Sequence, residues 1–378
     1  MKLRNMARLF ALAAVCLLVI CGIPEAGEAK ETGRLTIRVK SSPDAVFETK
    51  LETLNKWFVN EIKKAPKQQT KAQPELPYGY VTLHGEQQDV AYVVSYALNL
   101  FDLERGVKVR LPQEAKEQLR ATIQSLEEQH YGQAVTWKEA SNIFPRMGFA
   151  EVVDIETGKT FNVQRRAGSQ HADAQPLTAA DTKTMKEIYQ GKWSWKRRAV
   201  LVRVNGQTLA ASMHGMPHGA GAIQNNDFPG HFCIHFKDSS THRRKDADPA
   251  HDLMISKASG ELISRLTQGT PEELMRLFAT AINEQDEEII KLLINRADSE
   301  AFHAFIQQRK QIEAVRLLQI DERAETQGSP FVYASSVELQ LKLIGKREQV
   351  VQTTLHFMRG APTGRWKLEA ESLLTLFN

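Results

Sequence analysis

Two hydrophobic periods alternate along the chain and divide it into three regions. In residues 30–145 the pattern is mixed. Val46, Leu51, Leu54, Trp57, Phe58 and Ile62 recur at helical spacing and predict one helix across them. Residues 64–77 are polar, contain three prolines and read as a linker or long loop. Runs at 78–83, 90–98 and 107–111 predict strands. Pro112 then opens a helix to about residue 129 with Leu119, Ile123 and Leu126 on one face. This stretch carries no chemical motif and reads as an accessory α/β domain.

Residues 146–259 change to a period of two. Runs at 152–155 and 161–163 flank Glu156-Thr157-Gly158-Lys159, and runs at 199–204 and 207–212 flank Asn205-Gly206. Asn-Gly between alternating apolar runs predicts a hairpin, because a type I′ turn needs positive φ at both central residues. Asp181, Thr184, Met185 and Ile188 predict a short helix. Residues 213–230 are rich in glycine and asparagine and read as a long loop. His231-Phe232-Cys233-Ile234-His235-Phe236 follows as a strand.

Residues 260–378 return to helix and then to long strands. Pro271-Glu272-Glu273 opens an amphipathic helix, a second carries Ile289, Ile290, Leu292 and Leu293, and strands are predicted at 314–320, 337–344, 349–358 and 366–370. Helices followed by a long-stranded meander that ends on a Trp strand resemble the ketosteroid-isomerase-like α+β cone. The resemblance rests on element order over roughly residues 266–378; no acidic general base stands out in an apolar strand there, so a non-catalytic module is expected. The expected fold class is α+β and multidomain: a β-rich catalytic domain flanked by an N-terminal α/β region and a C-terminal α+β cone.

Charge and cysteine content sharpen this reading. The first 29 residues place Lys2, Arg4 and Arg8 before an apolar run, with Gly27-Glu28-Ala29 after it, the order of a secretory signal peptide. Residues 1–29 are therefore expected to direct export and leave a secreted or cell-wall-associated protein without a transmembrane domain in the mature chain. Cys16 and Cys21 fall in that segment, so Cys233 is the one mature cysteine and no intramolecular disulfide can form. Residues 151–258 hold 15 Lys+Arg against 11 Asp+Glu, which favours an anionic partner for the middle region. Nothing resembles a nucleic-acid module.

The same region concentrates the chemistry. Seven of the 11 histidines lie between 171 and 251: His171, His214, His218, His231, His235, His242 and His251. A thiol nucleophile needs a base to ionise it and donors for the oxyanion. His214-Gly215 ends one predicted strand. Fifteen residues, 215–229, separate His214 from Gly230-His231-Phe232-Cys233-Ile234-His235.

This spacing resembles the L,D-transpeptidase catalytic domain, a cysteine family that cross-links peptidoglycan. The family carries a histidine, a spacer, then Ser or Thr, His, Gly, Cys, and an Arg or Asn two beyond. The resemblance implies that Cys233 is the nucleophile, His214 its base and His231 the motif's second histidine, with backbone N–H groups around 231–233 holding the oxyanion. It places Gly215, His218, Gly230 and His235 at the substrate. Here Gly230, Phe232 and His235 replace the family's Ser or Thr, Gly, and Arg or Asn. Trp195 and Arg197, in Trp193-Ser194-Trp195-Lys196-Arg197-Arg198, are candidates for binding peptidoglycan or another anionic cell-wall polymer.

Three alternatives remain open on these residues. A zinc ion could be held by His171, Asp173, His231 and His235, giving a zinc-dependent peptidoglycan peptidase; the thiol mechanism needs no cofactor. The order His171, Cys233, Arg243 resembles sortases. Cys233 could also be a small buried hydrophobe in a non-catalytic wall-binding module.

Overall fold

The computed structural model describes residues 33–74, 76–241, 248–321 and 329–377. The expected export segment, with Cys16 and Cys21, and also His242 and Arg243 lie outside the described residues. The chain is an α+β protein with three separate sheets.

The first sheet is formed by β1 (Arg34–Lys40), β2 (Glu48–Leu54), β3 (Lys67–Gln69), β4 (Pro77–Leu83), β5 (Val90–Ser95), β6 (Asn99–Asp102) and β7 (Val107–Arg110) in the order β2-β1-β4-β5-β6-β7-β3. All its pairings are antiparallel. Helices α1 (Lys56–Lys64) and α2 (Gln113–His130) supply Phe58, Ile62, Leu119, Ile123 and Leu126 to its core. The single helix expected from Val46 onward is in fact a strand followed by a helix. Asn55 accepts a hydrogen bond from the Phe58 N–H and starts α1 there, which leaves Leu51 and Leu54 on an exposed strand. The expected linker at 64–77 contributes β3, which pairs with β7.

A short helix, α3 (Trp137–Ile143), leads into a closed antiparallel barrel. Its strands are β8 (Phe149–Asp154), β9 (Thr160–Ala167), β10 (Ala172–Pro176), β11 (Arg197–Val204), β12 (Gln207–His214) and β13 (Phe232–His235), with α4 (Ala179–Ile188) between β10 and β11. The ring runs β10-β13-β12-β11-β8-β9. Both hairpins form as the turn residues demand: Gly158 has φ 67°, and Asn205 and Gly206 have φ 51° and 76°. The interior holds Val152, Phe161, Val163, Val200, Val202, Leu209, Met213, Phe232 and Ile234. Strands β3, β6 and β10 are too short, or in β10 too poor in β-branched residues, to stand out in a hydrophobic profile.

Helix α5 (Pro249–Ala258) lies across the outer face of β11 and β12. It is buried on nearly every side, as a helix between two layers must be. Its Leu253, Met254 and Ala258 join barrel residues Ala199, Leu201 and Ala210 to the core of the C-terminal region in one apolar cluster. That region contains α6 (Leu262–Gln268), α7 (Pro271–Glu284), α8 (Glu287–Leu293) and α9 (Glu300–Arg309). Its sheet is β14 (Ile294–Asn295), β15 (Ile312–Ile320), β16 (Val332–Leu343), β17 (Gln349–Met358) and β18 (Lys367–Glu369), ordered β14-β18-β17-β16-β15, and α10 (Ala370–Leu373) follows it. Lys257 of α5 is buried between Glu156 Oε1 (2.8 Å) on the barrel and Asp286 Oδ2 (2.7 Å) at the start of α8. Among the described residues, no helix is long and apolar enough to cross a membrane.

Candidate active site on the barrel seam

Period-two alternation assembles the site. On β13, Phe232 and Ile234 fill the barrel, so Cys233 and His235 face the other way. On β10, Ala172 and Ala174 fill it, so Asp173 faces outward and lies directly opposite Cys233 in the ladder. On β12, Ala211 and Met213 point in, while Ser212 and His214 point out. The pairing Met213↔Ile234, continued by one residue, brings His214 alongside Cys233.

The loop expected at 213–230 folds back to complete the cluster. His218 and His231 form an antiparallel bridge, with N–H to carbonyl distances of 3.0 and 2.9 Å. That bridge requires glycine on both sides. A Cβ at Gly230 (φ 117°) would lie 2.4 Å from the His218 carbonyl oxygen, and one at Gly219 (φ 61°) would lie 2.4 Å from the His231 ring. The result sets His218 Nε2 at 3.4 Å from Cys233 Sγ.

The thiol has a carboxylate neighbour on its other side. Cys233 Sγ is 3.9 Å from Asp173 Oδ1, which lies 3.2 Å from His171 Nε2 and 3.8 Å from His231 Nε2. Burial, reinforced by Asp173, pushes the Cys233 thiol well up, so the resting sulfur is protonated. Burial, with His218 and Arg197 nearby, pushes His214 down to about 3. His235 is stacked between His171 (4.4 Å, 12° between planes) and His251 (3.7 Å, 8°). His251 accepts from or donates to Ser212 Oγ at 2.9 Å, and burial drives it well below the ordinary histidine range.

These contacts reassign several residues. His214 was the expected base, yet its Nδ1 accepts the Met216 N–H at 3.4 Å, and His218 is the ring whose Nε2 meets the sulfur. The His231 N–H is committed to the His218 carbonyl, so it is not an oxyanion donor. His235 is buried in the imidazole stack and does not face a substrate groove. Gly215 packs under the Tyr189 ring, where a Cβ would come within 2.3 Å. Gly230 shapes the loop rather than a substrate contact. Arg197 donates to Asp248 at 2.6 Å, the N-cap of α5, and lies 3.7 Å from Glu284, so it ties the barrel to two helices.

Trp195 stays beside the cluster. It is half-exposed and its ring lies against His214 (4.7 Å) and His218 (5.3 Å). Phe232, where the expected resemblance calls for glycine, sits inside the barrel against Phe161 and Phe228 and takes up no room beside the sulfur. The expected metal set splits accordingly. His171, Asp173 and His231 converge on the thiol, and His235 joins His171 and Cys233 from the side of α5.

No protein-family model, curated protein or solved structure matches this chain.

Proposed function

We propose that the barrel is a cysteine acyltransferase or peptidase of L,D-transpeptidase type, acting on the stem peptides of peptidoglycan. The observation that carries this reading is the 3.4 Å approach of His218 Nε2 to Cys233 Sγ. His218 Nδ1 lies 3.0 Å from the Met216 carbonyl, which can only accept, so the ring proton sits on Nδ1 and the Nε2 lone pair faces the S–H.

The steps follow from that tautomer. His218 takes the Cys233 proton as sulfur attacks the peptide carbonyl. The leaving amine recovers the proton from His218, and a thioester remains on Cys233. An incoming amine or water then resolves the thioester: His218 takes its proton and returns it to the Cys233 sulfur as the C–S bond breaks. Trp195 offers an aromatic wall to the donor strand. The positive surplus of residues 151–258 suits an anionic wall polymer.

The test uses the full chain with a muropeptide carrying a tetrapeptide stem, and mass spectrometry detects the acyl-enzyme. His218→Gln is expected to lower turnover by about 10²–10⁴-fold. His214→Gln should lower it far less. Equal losses in the two variants, or no acyl adduct on Cys233 at any pH up to 9, would refute the assignment.

A further inference from the structure

The side chains around Cys233 are arranged as a cation site as well as a thiol–imidazole pair. Three separations describe it: Cys233 Sγ to His218 Nε2 is 3.4 Å, Cys233 Sγ to Asp173 Oδ1 is 3.9 Å, and Asp173 Oδ1 to His231 Nε2 is 3.8 Å. The ligand atoms of Asp173, His231 and Cys233 lie within 4.8 Å of one another, and so do those of His214, His218 and Cys233. A tetrahedral zinc ion with bonds of about 2.0–2.3 Å needs its ligands about 3.3–3.8 Å apart. The separations of Cys233 from Asp173 and of Asp173 from His231 are close to two edges of such a tetrahedron, and Asp173, His231 and Cys233 close into one mutually adjacent set.

The rings are also turned for this purpose. His218 Nδ1 lies 3.0 Å from the Met216 carbonyl, and His231 Nδ1 lies 3.1 Å from the Ala220 carbonyl. Each carbonyl can only accept, so each Nδ1 carries the hydrogen and each Nε2 presents a lone pair inward. A backbone carbonyl behind the distal ring nitrogen is the usual outer support of a metal-bound histidine. His171 lies behind the carboxylate, with its Nδ1 2.8 Å from the Ser240 carbonyl and its Nε2 3.2 Å from Asp173 Oδ1. His214 differs, since its Nδ1 accepts a backbone N–H, and it stands outside the set.

We infer that Cys233, His231 and Asp173 bind one zinc ion, and that the ion masks the Cys233 sulfur. Binding displaces the thiol proton to solvent and forms the Zn–S bond, so one proton leaves for each ion bound by the cysteine. The bound ion removes the nucleophile. Zinc loading and acyl transfer are therefore mutually exclusive states of one sulfur. The binding site stands on the ligand geometry alone; its inhibitory consequence rests on the acyl-transfer reading above.

The experiment starts from the full chain stripped of metal by dialysis against a chelator. It is titrated calorimetrically with Zn²⁺, and with Co²⁺ as an optical probe. One ion per chain is expected, with a thiolate-to-cobalt charge-transfer band that is absent in Cys233→Ser. His231→Gln, at a partly exposed position, should weaken Zn²⁺ binding by about 10–100-fold without unfolding the chain, as circular dichroism would verify. Saturating Zn²⁺ should slow alkylation of Cys233 by iodoacetamide at least tenfold. No saturable binding below about 1 mM Zn²⁺, or an unchanged cobalt spectrum in Cys233→Ser, would overturn the site. A cobalt band in a metal-stripped protein that never acylates would instead refute the enzyme and leave the metal site standing. Acylation by the stripped protein that persists at saturating Zn²⁺ would overturn the masking.

Discussion

Asp173→Asn tests the electrostatics of the site most directly. The carboxylate oxygen lies 3.9 Å from Cys233 Sγ, in a ladder pair that fixes both backbones. At an effective dielectric of about 20, two unit charges at that distance interact by about 4 kcal/mol. The sign opposes ionisation, because the thiolate and the carboxylate are both negative. The full value is a ceiling of about a thousandfold in thiolate population, since about 1.4 kcal/mol is a factor of ten. The amide keeps the side-chain shape while removing the charge. In metal-free protein at pH 8, where thiolate is the scarce reacting form, Asp173→Asn should therefore raise the iodoacetamide rate at Cys233 by at least tenfold. Its rate–pH profile should shift to lower pH. A rate equal to or below that of the unmodified chain would show that Asp173 does not set the thiol, and the electrostatic argument would fail with it.

Three further outcomes follow from contacts between the layers. Lys257→Ala leaves Glu156 and Asp286 facing each other without their shared cation and should cost about 3–5 kcal/mol, read as a lowered denaturant midpoint. Gly230→Ala forces a side chain into positive φ and against the His218 carbonyl; it should cost about 1–3 kcal/mol and reduce acyl transfer by separating His218 from Cys233. Glu284 is raised to about 7 by burial, so the folded chain holds a proton that the unfolded chain releases near 4.5. Its contribution is present below that value and is lost as pH climbs through 7. Glu284→Gln should remove on the order of 3 kcal/mol of that decline between pH 4.5 and 7.5; parallel stability–pH curves for the two proteins would contradict it.

The sequence made the hairpins of the barrel legible because their turns need residues with positive φ, and Gly158, Asn205 and Gly206 are such residues. The chemistry was legible as a density of histidines around one cysteine. The pairing of Asp173 with Cys233 was not, since the two positions are 60 residues apart and the strand carrying Asp173 has no apolar signature. The choice between His214 and His218 was also hidden. Strand order places the first near the sulfur, but a backbone bridge closed through two glycines places the second closer. Helix α5 escaped notice for the opposite reason: buried on nearly all sides, its Ala-His-Asp-Leu-Met-Ile pattern shows no amphipathic stripe.

The position of the site within the ring has a kinetic consequence. Strands β8, β9 and β10 follow one another along the sheet, and so do β11, β12 and β13. These two triplets meet at β8–β11 and at β10–β13, and the second junction carries Asp173 opposite Cys233. Local pairings form early and distant ones late, because the chain between them must first lose its loop entropy. Either triplet on its own lacks the other half of the cluster. Shielding of the Cys233 thiol during refolding thus marks closure of the barrel, and its alkylation rate against time becomes a clock for that final step.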